Sequence, residues 1–168
     1  MRRTILLAFA VSLLATPGAL AAGKAGLWTI TTTWQFGMSR VPPALVALAR
    51  QQALAPPVTG RPFIYHICMT AYEADGGQPL HLNSRETDCA NRTVSMRRSQ
   101  MVLESICHGP LEGVARAQIT WRGDQHFEGT SDFKGRLRGD PARMSSSFSA
   151  DWAGEDCRGV RAFVPQNN

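Results

Sequence analysis

No run of apolar residues in this chain of 168 residues is long enough to cross a membrane. The longest, Ile5 to Ala15, falls short of the roughly 20 residues that a spanning helix needs. Its four cysteines include no C-x-x-C pair, which argues against a zinc knuckle and a thioredoxin-like redox site. His66, His81, His108 and His126 are scattered, with no H-x-H or H-E-x-x-H spacing. There is no G-x-S-x-G elbow, no Ser-x-x-Lys and no glycine-rich phosphate loop. Charge is sparse, at 18% of residues, and the basic residues are dispersed, so no nucleic-acid footprint emerges. His66, Cys68 and Met69 lie close together in sequence, but successive strand residues face opposite ways. No metal, cofactor or catalytic residue is expected.

What is present begins at the N-terminus. Arg2 and Arg3 precede the apolar run, Pro17 and Gly18 break it, and Ala19-Leu20-Ala21 offers small residues before a cut. That order predicts a secretory signal peptide over residues 1–21. No cysteine follows the run closely, which argues against a lipoprotein. Cleavage leaves residues 22–168, long enough for one β-rich domain with a core of its own. The formal charge of +5 then drops to about +3, a solubilising balance also compatible with an anionic surface. An even number of cysteines in an exported chain implies disulfides and a periplasmic or secreted location.

Alternation of period two dominates the rest. In "GLWTITTTWQF" Trp28, Ile30, Thr32, Trp34 and Phe36 share one side of a strand. Between Pro42-Pro43 and Pro56-Pro57, Ala44 to Leu54 predicts a short amphipathic helix that covers one end of a sheet. "RPFIYHIC" is a strand with Phe63, Tyr65 and Ile67 on one face, followed by a short helical turn and a loop. From Cys89 the chain reads as an antiparallel meander: "RTVSMRR" and "MVLESIC" around a turn at Ser99-Gln100, then "GVARAQITWRG" and "QHFEGTSDF". A glycine-rich corner, "KGRLRGDP", leads to "ARMSSSFSADW". Six or seven such strands predict a mainly all-β fold, a curved antiparallel sheet forming a barrel, half-barrel or sandwich with one short inserted helix. Trp28 and Trp34, about 20 Å apart along one strand, are expected to join Trp121 and Trp152 in a closed core or pocket.

The order of "AGLWTITT", "YHICMT", "ICHG", "TWRGDQHFEGT" and "WAGEDC" resembles the secreted bacterial domain of unknown function 3617 family. The resemblance implies export, a β-rich fold and paired cysteines; it implies no activity. Within that family pattern, Cys89 and Cys107 bracket a hairpin that brings them nearly opposite each other. Cys68 is left for Cys157. This connectivity is favoured over the two others that four cysteines allow.

Asp88, Asp151, Glu155 and Asp156 lie beside strand ends, where carboxylates serve solvated turns. The two "RGD" triplets, at 122–124 and 138–140, sit at predicted corners for backbone reasons. The reading leans away from an enzyme. It expects an envelope protein of unknown activity that binds a small apolar or amphipathic ligand. The alternative is a structural module contacting another envelope protein or an anionic surface. No membrane span and no nucleic-acid partner are expected.

Overall fold

The computed structural model describes residues 23–38, 40–74, 88–97 and 99–160. The expected signal peptide and His81 lie outside them. Seven strands and two helices follow in the order β1 (Gly26–Gly37), α1 (Pro43–Gln51), β2 (Pro62–Met69), α2 (Ala71–Ala74), β3 (Asp88–Arg97), β4 (Gln100–His108), β5 (Leu111–Trp121), β6 (His126–Leu137) and β7 (Asp140–Gly154).

The strands form one sheet in the order β2-β1-β7-β6-β5-β4-β3. Every neighbouring pair is antiparallel. The meander β3 to β7 is extended when β1 docks on β7 and carries β2 with it. With an odd number of alternating strands, the two edges, β2 and β3, run in the same direction. A meander closes without interruption only when its edges are antiparallel, and here the sheet stays open as a half-barrel.

Register assigns the faces. Residues directly opposite on adjacent antiparallel strands share a face. One row reads Tyr65, Ile30, Ala150, Phe127, Trp121. The next reads Phe63, Thr32, Phe148, Gly129, Ile119, Met101. This is the concave face, whose central cluster includes Trp28, Ile30, Met69, Met101, Leu103, Ile119, Phe127 and Ala150. The opposite face is polar: Thr29, Thr31 and Thr33 pair with Asp151, Ser149 and Ser147. Three strand spacings, about 14 Å, separate the β1 and β5 backbones. The Trp28 and Trp121 rings nevertheless meet at 5.8 Å, edge to face, above Phe127.

The expected glycine-rich corner narrows to a two-residue turn. β6 runs to Leu137, β7 starts at Asp140, and only Arg138 and Gly139, with φ of 54° and 91°, make the turn. Two successive positive φ values suit the right-handed twist of a two-residue hairpin. The strand needs its glycines because the β5 backbone and aromatic rings crowd them: a Cβ at Gly135 would run into the Glu112 carbonyl oxygen, and one at Gly129 into that of Gln118. A Cβ on Gly135 would stand 2.8 Å from the tip of Phe133, and one on Gly129 would stand 2.6 Å from the Phe148 ring. The β3–β4 turn is also one residue earlier than expected. Arg97 pairs with Gln100, which already belongs to β4.

Each edge strand carries one disulfide. Cys89 and Cys107 are cross-strand partners on β3 and β4. Cys68, near the end of β2, is joined to Cys157 beyond β7, with Cα atoms 5.4 Å apart, so the tail crosses β1 to reach the edge. Leu27, on the polar face opposite Cys68, is buried there. The β2 edge has a second device. Gln52, just beyond α1, donates from Nε2 to the His66 carbonyl (2.6 Å) and accepts the His66 N–H at Oε1 (2.8 Å). The side-chain amide thereby satisfies the groups that a further strand would otherwise capture.

Candidate functional site: the concave face

The two ends of the concave face differ. At one end, residues 23–25 run beneath the aromatic cluster. The Trp28 indole N–H donates to the Lys24 carbonyl (2.9 Å) and the Trp152 indole N–H to the Ala25 carbonyl (3.0 Å). Gly23 N–H reaches the Ala74 carbonyl of α2, and a Cβ on Gly23 would stand 2.7 Å from the Trp121 ring. Lys24 pairs with Asp124 at 3.4 Å and lies over the Trp152 ring. α2 is fixed by a capping box: Thr70 N–H and Oγ1 donate to Glu73 Oε2, and Glu73 N–H donates back to Thr70 Oγ1. This end is filled, and the indole N–H groups of Trp28 and Trp152 are consumed in it.

Trp34 departs from the expectation of four tryptophans in one core. It lies outside the central cluster, stacked on Phe36 with centroids 6.0 Å apart. Its ring is 5% exposed, yet its Nε1 has no hydrogen-bond partner. The separation follows from spacing: six residues carry Trp34 about 20 Å along β1, beyond the reach of the cluster around Phe127.

Its neighbours in register are small. The row through Trp34 continues with Ser146 on β7, Ser131 on β6 and Ala117 on β5. Ser131 Oγ and Ser146 Oγ are 2.8 Å apart. One hydroxyl proton is used between them, which leaves the other as a donor. Thr32, one row below, is buried and donates to the Ser147 carbonyl at 3.2 Å. Beyond the strip lies a second apolar row of Phe36, Met144, Phe133 and Ala115. A polar strip therefore crosses the concave face between two apolar bands, with Trp34 and Ser146 buried in it and the Trp34 indole N–H unpaired.

Titratable groups play little part in this strip. Burial pushes the Tyr65 phenol from about 10 up to about 12, so it stays neutral there. On the opposite face His126 Nδ1 and Asp151 Oδ1 form an exposed pair at 2.7 Å, and Thr29 Oγ1 lies 3.3 Å from His66 Nδ1. Asp151, Glu155 and Asp156 are exposed. Among the described residues, no three His, Cys, Asp or Glu side chains gather to hold a metal, and no helix is long and apolar enough to cross a membrane. The sequence reading placed Ser146 on the inner face but overlooked its pairing with Ser131, because β6 and β7 register is invisible to periodicity. The only local cue was the inward Thr32-x-Trp34 step, polar residues inside an otherwise apolar alternation.

These features define an open antiparallel half-barrel, stapled at both edges and plugged at one end, with a donor strip across its concave face. The family model described as "Protein of unknown function (DUF3617)" matches residues 23–157, and the chain belongs to this family. Neither the search of curated proteins nor the search of solved structures found a match. Two disulfides and no free cysteine among the described residues fit an oxidising compartment.

Proposed function

We propose that this chain is a non-catalytic envelope protein, exported by cleavage after Ala21, that holds a small amphipathic ligand against the concave face of its sheet. The observation that carries the reading is the Trp34 indole N–H, buried without a partner beside the Ser131–Ser146 pair. An unpaired buried donor costs about 1–3 kcal/mol. A ligand carbonyl or carboxylate oxygen placed on the strip would recover that cost, while its apolar part packs along Phe36, Met144 and Phe133. The division of labour among the tryptophans supports this. Trp28 and Trp152 spend their N–H groups on the plug, and Trp34 keeps its own available.

Native mass spectrometry of protein recovered from the periplasm tests the reading. The expected result is an adduct of lipid-like mass that is depleted in Trp34→Phe and retained in Val58→Ser, at an exposed position away from the concave face. Protein that carries no adduct, and that takes up no fatty acid or monoacylglycerol when these are supplied, refutes it.

A further inference from the structure

The polar face carries one row unlike its neighbours. Moving from β4 to β7 it reads Ile106, Val114, Lys134, Arg143, each residue directly opposite the next. The row beside it reads Glu104, Arg116, Asp132, Ser145, in which opposite charges alternate as cross-strand pairing favours. In the first row two cations are neighbours, an arrangement that destabilises a sheet. All four side chains are exposed, Ile106 at 39% and Val114 at 45%. Arg136, two residues along β6 from Lys134, and Arg138 in the hairpin turn add two exposed cations at the same end.

Among the described residues none of Lys134, Arg136, Arg138 and Arg143 enters an ion pair. Glu112 stands opposite Arg136, and Asp140 follows the turn; they offset part of the charge without closing a salt bridge. The opposite end of the sheet carries Asp124, Glu128, Asp151, Glu155 and Asp156, against Lys24, Arg97, Arg122 and Arg158, so charge there is nearly balanced among the described residues. The excess of exposed positive charge sits at the end of the strands marked by the 138–139 turn. A field of that kind orients a protein before contact.

We infer that this row is a docking surface for an anionic phospholipid bilayer. Basic side chains beside exposed aliphatic ones, in one row across four adjacent strands over roughly 14 Å of the convex face, match a headgroup layer. Lys134, Arg136, Arg138 and Arg143 meet phosphates, while Ile106 and Val114 dip beneath them. The surface has no concavity to select a single side chain and no aromatic residue to stack on a base. A lipid surface also removes the repulsion between Lys134 and Arg143 by placing phosphates between them. The inference stands independently of what the concave face holds.

The test is sedimentation of the mature chain with vesicles of phosphatidylcholine, alone or with roughly one-third phosphatidylglycerol. Binding is expected only with phosphatidylglycerol and is lost as salt shortens the Debye length. Lys134→Gln with Arg143→Gln lowers the partition coefficient by about 25-fold, at roughly fivefold per basic residue near an anionic surface. Arg122→Gln, at the opposite end, leaves it unchanged. The double variant keeps the circular-dichroism spectrum and melts no lower than the parent, since a repulsion has been removed; weak binding therefore cannot be a folding defect. Equal binding to both vesicles, no binding to either, or full binding by the double variant overturns the inference. So does a chain that ignores vesicles but retains an acidic protein through this row.

Discussion

Removing the disulfides one pair at a time tests the idea that each bridge secures an edge. Cys68 and Cys157 are 89 residues apart, and Cys89 and Cys107 are 18 apart. In the chain-entropy account the longer loop restricts the unfolded state by about 4.6 kcal/mol and the shorter by about 3.2 kcal/mol. The smaller loop is nested within the larger, so the inner bridge shortens the effective outer loop, which lowers the cost of losing either bridge by only about 0.2 kcal/mol. Alanine pairs are the right perturbation, because serine would bury a hydroxyl at Cys107, which is 4% exposed.

Equilibrium urea unfolding, followed by far-ultraviolet circular dichroism, should rank the chains as intact, then Cys89→Ala with Cys107→Ala, then Cys68→Ala with Cys157→Ala. The two variants should differ by about 1.4 kcal/mol, a factor of ten in the unfolding constant. Hydrogen exchange should localise the damage. Losing Cys68–Cys157 exposes β2 amides such as Tyr65, which faces β1, and losing Cys89–Cys107 exposes β3 and β4 amides while leaving β2 protected. If the two variants prove equally stable, or the short loop is the costlier to lose, the account of edges closed by loop entropy is wrong.

Trp34→Phe should cost less than about 1 kcal/mol of apo stability in thermal melts, since the cavity left by a smaller ring is offset by loss of an unpaired donor. Trp28→Phe, which orphans the Lys24 carbonyl in a fully buried site, should cost about 2–4 kcal/mol in the same assay. Ala53, just past α1, has φ of 53° while Leu54 N–H reaches the Ala49 carbonyl, so Ala53→Gly should stabilise by about 0.5–1 kcal/mol in urea titrations. Tyr65 ionises at about 10 when unfolded and about 12 when folded, so the unfolded state loses its proton first. Stability unaffected below pH 10 should therefore fall between pH 10 and about 12, by up to about 2–3 kcal/mol, and Tyr65→Phe should abolish that component.

The sequence by itself determined the strands, their inward faces and α1. Period-two alternation of Trp28, Ile30, Thr32 and Trp34, or of Ala115, Ala117, Ile119 and Trp121, is a local property that survives without any partner. Proline at both ends of the helical stretch, and the hairpin between Cys89 and Cys107, are equally local, and the expected disulfide connectivity rested on that hairpin together with the family resemblance. Glycine-rich "KGRLRGDP" read as a longer corner than it is, because the rings that cover Gly129 and Gly135 come from elsewhere: Phe148 from the next strand, Phe133 from two residues back.

Only the tertiary structure decided which faces meet and what lies beside what. Periodicity says which side of a strand a residue occupies, but not which strand is next or at what register. Docking of β1 on β7 joins residues more than a hundred positions apart, and that choice set Trp34 beside Ser146. Register on β5, β6 and β7 likewise aligned Val114, Lys134 and Arg143, which in the linear chain are merely scattered. The same pairing placed β2 at an edge, where the free backbone of His66 required Gln52. Energies of pairing and burial depend on neighbours brought together across the whole chain, and those neighbours exist only once the sheet has formed.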